Sequence, residues 1–352
     1  MNLIERYLQE TPAKMGEIIE KSSDLFSGIC GESFDRIIVT GSGTSFHAAL
    51  QAHKYMEKIL SVEVMALYPF IITEKLFKKF QNRTLLIGLS QGGGSVSTYN
   101  AMKLAREQGV VTASMCGLEG APVDEMADYI LTVHCGEEEA GAKTKGYYCT
   151  KLSLMLFALN MARSHGQVLP AEFDGHIERI LKAKDRYLTV YRQSEEWLSE
   201  NRGSLLNTKE MRVIGTTDLY GDVLEGALKL LETMRIPATG YEFEEFIHGI
   251  YNAVNEKSTL FIMDSGVEGR VTKLTEILSE WTDNIYVIGP NVEDNGKNLR
   301  ADVVDDNDFH TFNFLIPIQL ICAQIPPLMG IDPAVPKDPQ FHVKLGSKKL
   351  NR

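Results

Sequence analysis

The sequence predicts an α/β protein of two tandem subdomains, each a doubly wound, mainly parallel sheet flanked by helices. Three observations carry this. Short apolar runs bounded by glycine or polar turns alternate with segments of helical period, as in βαβ units whose sheet is covered on both faces. The alternation occurs twice in register: with Gly41 set on Gly215, VTGSGTSFHAALQ runs beside VIGTTDLYGDVLE without a gap. A chain of 352 residues, 44% hydrophobic and 24% charged, can also bury two cores.

In order, residues 1–35 form a helical leader, with a helix over 3–28 interrupted near Pro12. The first subdomain spans 36–166. RIIVT (36–40) is a buried strand, GSGTS a glycine-rich turn and 46–59 a helix. Strands follow at 62–67, 84–90, 110–116 and 129–133, with helices at 70–80 and 95–108. A helical pattern at 151–163 ends the first subdomain, and a second at 177–200 lies within a helical connection over 167–203. The second subdomain, 204–330, has strands at 211–215, 259–264 and 284–289, and helices at 219–234, 268–281 and 310–325. A tail, 331–352, closes the chain.

Composition narrows the partners. A net charge of -11 repels nucleic-acid phosphates, so a small molecule is the expected ligand. The five cysteines contain no CxxC pair, which suits a reducing cytoplasm. The N-terminus is charged in its first turns, and FNFLIPIQLICAQIPPLM is broken by Asn313, Gln319, Gln324 and three prolines; neither secretion nor a membrane span is expected.

Two turns carry candidate chemistry. TGSGTSF (40–46) lies between strand and helix, where amide groups and the helix dipole favour an anion, and Ser42, Thr44 and Ser45 add hydroxyls; a plain turn with Thr44 or Ser45 as cap is the alternative. Phe46 stands where a dinucleotide fingerprint needs its third glycine, and no GxxxxGK is present, so neither nucleotide motif applies. LSQGGGSVST (89–98) repeats the arrangement with Ser90, Gln91, Ser95, Ser97 and Thr98. Both turns emerge at the carboxyl edge of one sheet, and two hydroxyl-rich turns without lysine suit a monophosphate such as that of a phosphosugar. In the 219–234 helix, Leu224, Leu228 and Leu231 form a stripe expected to pack, beside a charged stripe of Glu225, Lys229 and Glu232. Gly226 within it implies a close approach to the backbone.

GSGTS, LSQGGGSVST, EEEAGAKTKGYY (137–148), LEGALKLLE (224–232) and EFIHG (245–249) occur in an order that resembles the sugar isomerase (SIS) domain family, in particular the isomerase half of glutamine:fructose-6-phosphate aminotransferases. The resemblance implies two SIS subdomains and a homodimer. It implies phosphate binding by Thr44, Ser45, Ser90, Gln91 and Ser95, with Gly92 and Gly94 standing where serine and glutamate are usual. It places the carboxylate that moves a proton between C1 and C2 at Glu232, its partner lysine at Lys229 and a further site glutamate at Glu225. His248 falls on the ring-opening histidine, donated by the adjacent subunit, and Lys344 on a Schiff-base lysine, with Lys337 as the substitute; Lys348 and Lys349 complete a lysine-rich tail. No metal or cofactor is implied.

The chemistry needs these types in any case: a base over C1 and C2, an acid at the ring oxygen, an amine for an iminium and a cation for developing oxygen charge. The remaining histidines show no ligand spacing. Asn2 after Met1, and a leader too short for a glutaminase domain, predict no glutamine amidotransferase activity. The expected activity is isomerisation of a ketose 6-phosphate or amine release from an amino-sugar or Amadori 6-phosphate. The acidic clusters Glu137–Glu139 and Glu242, Glu244 and Glu245 are then either acceptors for a cationic amine or solvated faces. The alternative is a sugar-phosphate sensor that performs no chemistry.

Overall fold

The computed structural model describes residues 1–78 and 83–348. These gather into two compact units: one of Ala13–Glu138, Lys145–Glu178 and the segment beginning at Lys337, the other of Met1–Pro12, Glu139–Thr144 and Arg179–Pro336. Helix α1 (Leu3–Leu25) runs uninterrupted through Pro12, against the sequence expectation. Proline removes one helical N–H, but the neighbouring Thr11 hydroxyl donates to the Tyr7 carbonyl at 2.8 Å, and buried Ile4, Leu8, Met15 and Ile18 hold both sides of the step.

In the first unit, β1 (Arg36–Thr40), α2 (Thr44–Leu60), β2 (Glu63–Leu67), α3 (Glu74–Lys78), β3 (Thr84–Leu89), α4 (Val96–Glu107), β4 (Val111–Met115), β5 (Tyr129–Ile130) and α5 (Lys145–Ser164) follow one another. Positions 79 and 80 of the helix expected over 70–80 lie outside the described residues. The sheet order is β2-β1-β3-β4-β5, all parallel, with Ile38 opposite Met65 and Leu86. β1 and β3 are buried along their whole length, which their apolar runs require. Ile38, Leu86, Met102, Ala105 and Val123 form the core between this sheet and α4. The chain leaves β1 toward one edge and β3 toward the other, so the carboxyl ends of β1 and β3 flank a topological switch point.

In the second unit, reached through α6 (Pro170–Leu206), the elements are β6 (Glu210–Gly215), α7 (Tyr220–Met234), β7 (Ala238–Glu242), α8 (Phe243–Ile247), β8 (Ser258–Met263), α9 (Val271–Leu278), β9 (Ile285–Gly289), β10 (Leu299–Arg300), α10 (Thr311–Phe314) and α11 (Ile316–Leu328). The order β7-β6-β8-β9-β10 is parallel and retraces the first sheet strand for strand. The matched glycines meet the same constraint. A Cβ on Gly41 would lie 3.1 Å from the Leu89 carbonyl at the end of β3, and one on Gly215 3.4 Å from the Met263 carbonyl at the end of β8. The stretch Thr311–Leu328 is long and apolar, with mean hydropathy 1.3, yet 83% of it is buried in the protein, so it serves as core. The helix expected over 310–325 divides at Leu315, just before Pro317.

Candidate functional site

The two hydroxyl turns of the first unit meet at its switch point. Gly41 is required there, because its Cβ would lie 2.8 Å from that of Ser45. Gly43 has φ 56° and occupies the N-cap of α2 without a side-chain cap, so Thr44 and Ser45 open the helix and do not cap it. In the second turn, Ser95 is the N-cap of α4, accepting from the Thr98 amide at 3.4 Å, while its own amide donates to Ser90 Oγ at 3.3 Å. Ser42 Oγ lies 3.3 Å from Ser97 Oγ, which lies 3.1 Å from Ser95 Oγ, so hydroxyls of both turns form one cluster before two helix N-termini. Ser42 and Ser97 belong to it although the resemblance singles out only Thr44, Ser45, Ser90, Gln91 and Ser95; of these five, Ser95 and Ser90 are linked to it, and the place of Ser42 and Ser97 in the same turns is the available signal. Gly92 is exposed with open space for a Cβ, whereas Gly93 has φ 65° and a Cβ there would fall 2.1 Å from that of Ala121. The Gln91 carboxamide turns inward, donating to Cys135 Sγ at 3.3 Å.

The chain's tail lies on this turn. Ser95 and Lys348 form an antiparallel bridge, and Val96 N donates to Ser347 O at 3.3 Å. On α12 (Phe341–Leu345), Lys344 is 67% exposed and its Nζ pairs with Asp338 at 2.7 Å. Lys349 lies outside the described residues.

The second unit carries Glu225, Lys229 and Glu232 on α7, with the faces exchanged relative to the sequence expectation. The leucine stripe is the less buried side, with Leu231 45% exposed, while Glu225 and Lys229 are 0% and 1% exposed. The charged stripe packs because its members neutralise one another. Lys229 Nζ lies 3.5 Å from Glu225 and in direct contact with Glu232, whose side chain remains 36% exposed. Burial opposes the ammonium, but the charges of Glu225 and Glu232 outweigh it and hold Lys229 above the ordinary lysine pKa. Lys229 is therefore a fixed cation and Glu232 the solvent-accessible member of the set. Gly226 admits α11, since its Cβ would lie 3.2 Å from Leu315 Cδ1 and 3.3 Å from Ile318 Cδ1.

His248 caps the C-terminus of α8 and is 72% exposed; its Nδ1 lies 2.7 Å from the Glu244 carbonyl, which leaves Nε2 directed away from that bond. Its neighbours are structural. Glu242 caps α8 through the amides of Glu244 and Glu245 at 2.7 and 3.2 Å, and Glu244 pairs with Arg270. In the first unit Glu138 accepts from the amides of Lys145 and Gly146 at the start of α5, at 3.2 and 2.9 Å. Glu138 and Glu242 are thus neither solvated faces nor open amine acceptors. At the second unit's own switch point an Asp218–His310 pair at 3.0 Å and a Thr216–Ser265 contact at 2.9 Å replace the neutral cluster, and the carboxylate there disfavours a phosphate.

Comparison with known proteins agrees with the two-subdomain α/β fold. A family model described as SIS domain matches residues 33–160. A crystallised Clostridium difficile chain, provisionally assigned as a phosphosugar isomerase, is 55% identical over 100% of both chains, with TM-score 0.97. A Salmonella typhimurium structure, provisionally described as a sugar-binding protein, is 42% identical over 92% of this chain and 100% of that one, with TM-score 0.85. The glutamine–fructose-6-phosphate aminotransferase of Pyrococcus horikoshii is 26% identical over 87% of this chain and 51% of its own length. The chain spans about half the length of the curated relatives it matches.

Proposed function

The chain belongs to the SIS-domain family, and on that premise we propose that it moves a proton between C1 and C2 of a ketose or amino-sugar 6-phosphate. The observation that carries this is the α7 set, in which a buried lysine fixes one accessible carboxylate, Glu232. Thr44, Ser45, Ser90, Gln91 and Ser95, with the two helix N-termini, hold the phosphoryl group. Glu232 takes a proton from C1 of the open-chain ketose and returns it at C2. If C1 bears oxygen, the product is the aldose phosphate. If C1 bears an amine, the same shift gives a C1 iminium, which water hydrolyses to the aldose phosphate and free amine. Isomerase and deglycase activity therefore share one step and differ in the atom on C1.

Lys229 and Glu225 are positioning residues in this scheme, since burial keeps both from solvent. His248 Nε2 opens the ring by protonating its oxygen, and its exposure suits donation to a second copy in a cytoplasmic homodimer. Lys344, or Lys337, supplies the amine for any Schiff base with the ketose. The test is a coupled assay of free amine and aldose phosphate with 6-phosphorylated fructosamines, glucosamine 6-phosphate and fructose 6-phosphate. Turnover lost in Glu232→Gln supports the proposal; no turnover of any of them, with Glu232→Gln no different from wild type, removes it. The Salmonella relative's description as sugar-binding favours a second reading, a sensor that binds the phosphosugar unchanged. Saturable binding without turnover would select it.

A further inference from the structure

The Gln91 side chain fills a space that exists because residue 146 has no Cβ. A Cβ built on Gly146 would lie 1.8 Å from Gln91 Nε2 and 2.0 Å from both Cδ and Oε1. The main chain of Gln91 is anchored, its carbonyl accepting from the Gly117 amide at 2.9 Å, and Ser90 beside it belongs to the hydroxyl cluster. The carboxamide, in contrast, is held in its slot by a 3.3 Å contact to Cys135 Sγ, and sulfur is a weak acceptor beside a phosphoryl oxygen. The slot's other wall is firm, because the amides of Lys145 and Gly146 are both bound to the Glu138 carboxylate.

Resting on the phosphate-binding role given to the turns above, we propose that the Gln91 carboxamide has two positions, one in the slot beside Gly146 and one among the turn hydroxyls, and that residue 146 sets the balance between them. Glycine makes the inner position available. A side chain at 146 closes it and leaves Gln91 arranged for the phosphoryl group, so less of the binding energy goes into drawing the carboxamide out. Gly146 is thus a positioning residue that acts on affinity through Gln91. Its effect runs opposite to that of ordinary damage to a site, since a bulkier residue binds ligand more tightly.

Titration calorimetry with fructose 6-phosphate on wild type, Gly146→Ala, Gln91→Ala and the double variant tests this. Gly146→Ala should bind at least about threefold tighter, Gln91→Ala more weakly, and the double variant no differently from Gln91→Ala alone. Unchanged or weakened binding by Gly146→Ala overturns the inference, as does an equal gain in the Gln91→Ala background. Failure of Gly146→Ala to fold, read by circular dichroism, also overturns it, because the carboxamide and not the helix has to yield. If wild type itself does not bind fructose 6-phosphate, the phosphate role of the turns falls and the inference with it. If wild type and Gln91→Ala differ while Gly146→Ala shows no gain, the inference alone fails.

Discussion

Replacing Lys229 by methionine tests the logic of α7 directly. The substitution keeps length and apolar volume but removes an ammonium that is 1% exposed and lies 3.5 Å from Glu225, itself fully buried. Breaking a buried ion pair from one side costs about 3–5 kcal/mol, because the remaining charge keeps its desolvation penalty without its partner. At about 2–4 °C of melting temperature per kcal/mol for domains of 150–250 residues, Lys229→Met should lower the midpoint on the order of 10 °C. Glu225→Gln/Lys229→Met removes the stranded charge and should recover most of that loss. The assay is thermal unfolding of the three proteins at matched concentration and pH. The sign of the pH dependence follows from the raised pKa of Lys229: its contribution is fully present below the unfolded lysine value of 10.5 and is lost only as pH climbs through the higher folded value. Titration of Lys229 itself therefore adds no slope to the gap between wild type and Lys229→Met from pH 6 to 9. A Lys229→Met protein as stable as wild type, or a double variant less stable than the single one, would refute the account of how charge is buried in this helix.

Glu232→Gln should fold and bind fructose 6-phosphate but lose about 10²–10⁴-fold in turnover, as expected for removal of a general base; steady-state kinetics and circular dichroism check the two halves. His248→Ala should leave the unfolding free energy within about 0.5 kcal/mol of wild type, since the side chain is 72% exposed, and should abolish ring opening. If the histidine is donated across a dimer, unfolding and refolding equal amounts of inactive His248→Ala and Glu232→Gln restores about a quarter of wild-type activity, from the one intact site in each heterodimer; no recovery by an assembly that sediments as a dimer excludes the exchange. Gly92→Ser should be tolerated and lower the KM for a sugar phosphate, whereas Gly93→Ala, with φ 65° and a Cβ 2.1 Å from that of Ala121, should cost about 1–3 kcal/mol in a denaturant titration.

The alternation that reveals the two sheets is legible because their central strands are buried on both faces and must be apolar, as RIIVT and TLLIGL are. β7 (ATGYE) carries no such signal for the converse reason: it is an edge strand with one buried residue and no apolar run. α5 begins six residues before its expected start because Lys145 through Ala162 are all buried, which erases the polar stripe that marks a helix. Periodicity in α7 likewise assigns leucine inward and charge outward, and only geometry reveals that Glu225, Lys229 and Glu232 compensate one another. The serine turns were legible as a set, whereas the inward turn of Gln91 depends on a glycine 55 positions away in the sequence and on nothing local to either residue.

The duplicated plan suggests that the gene could be divided at the repeat boundary into two independently expressed pieces. The second unit, however, draws on Met1–Pro12 and Glu139–Thr144 as well as Arg179–Pro336. Any single cut leaves one fragment holding strips of backbone that the other needs for its own fold, so neither is self-sufficient. Split-protein designs on this scaffold have to co-express both fragments, and circular permutants have to respect the five points at which the chain passes from one unit to the other.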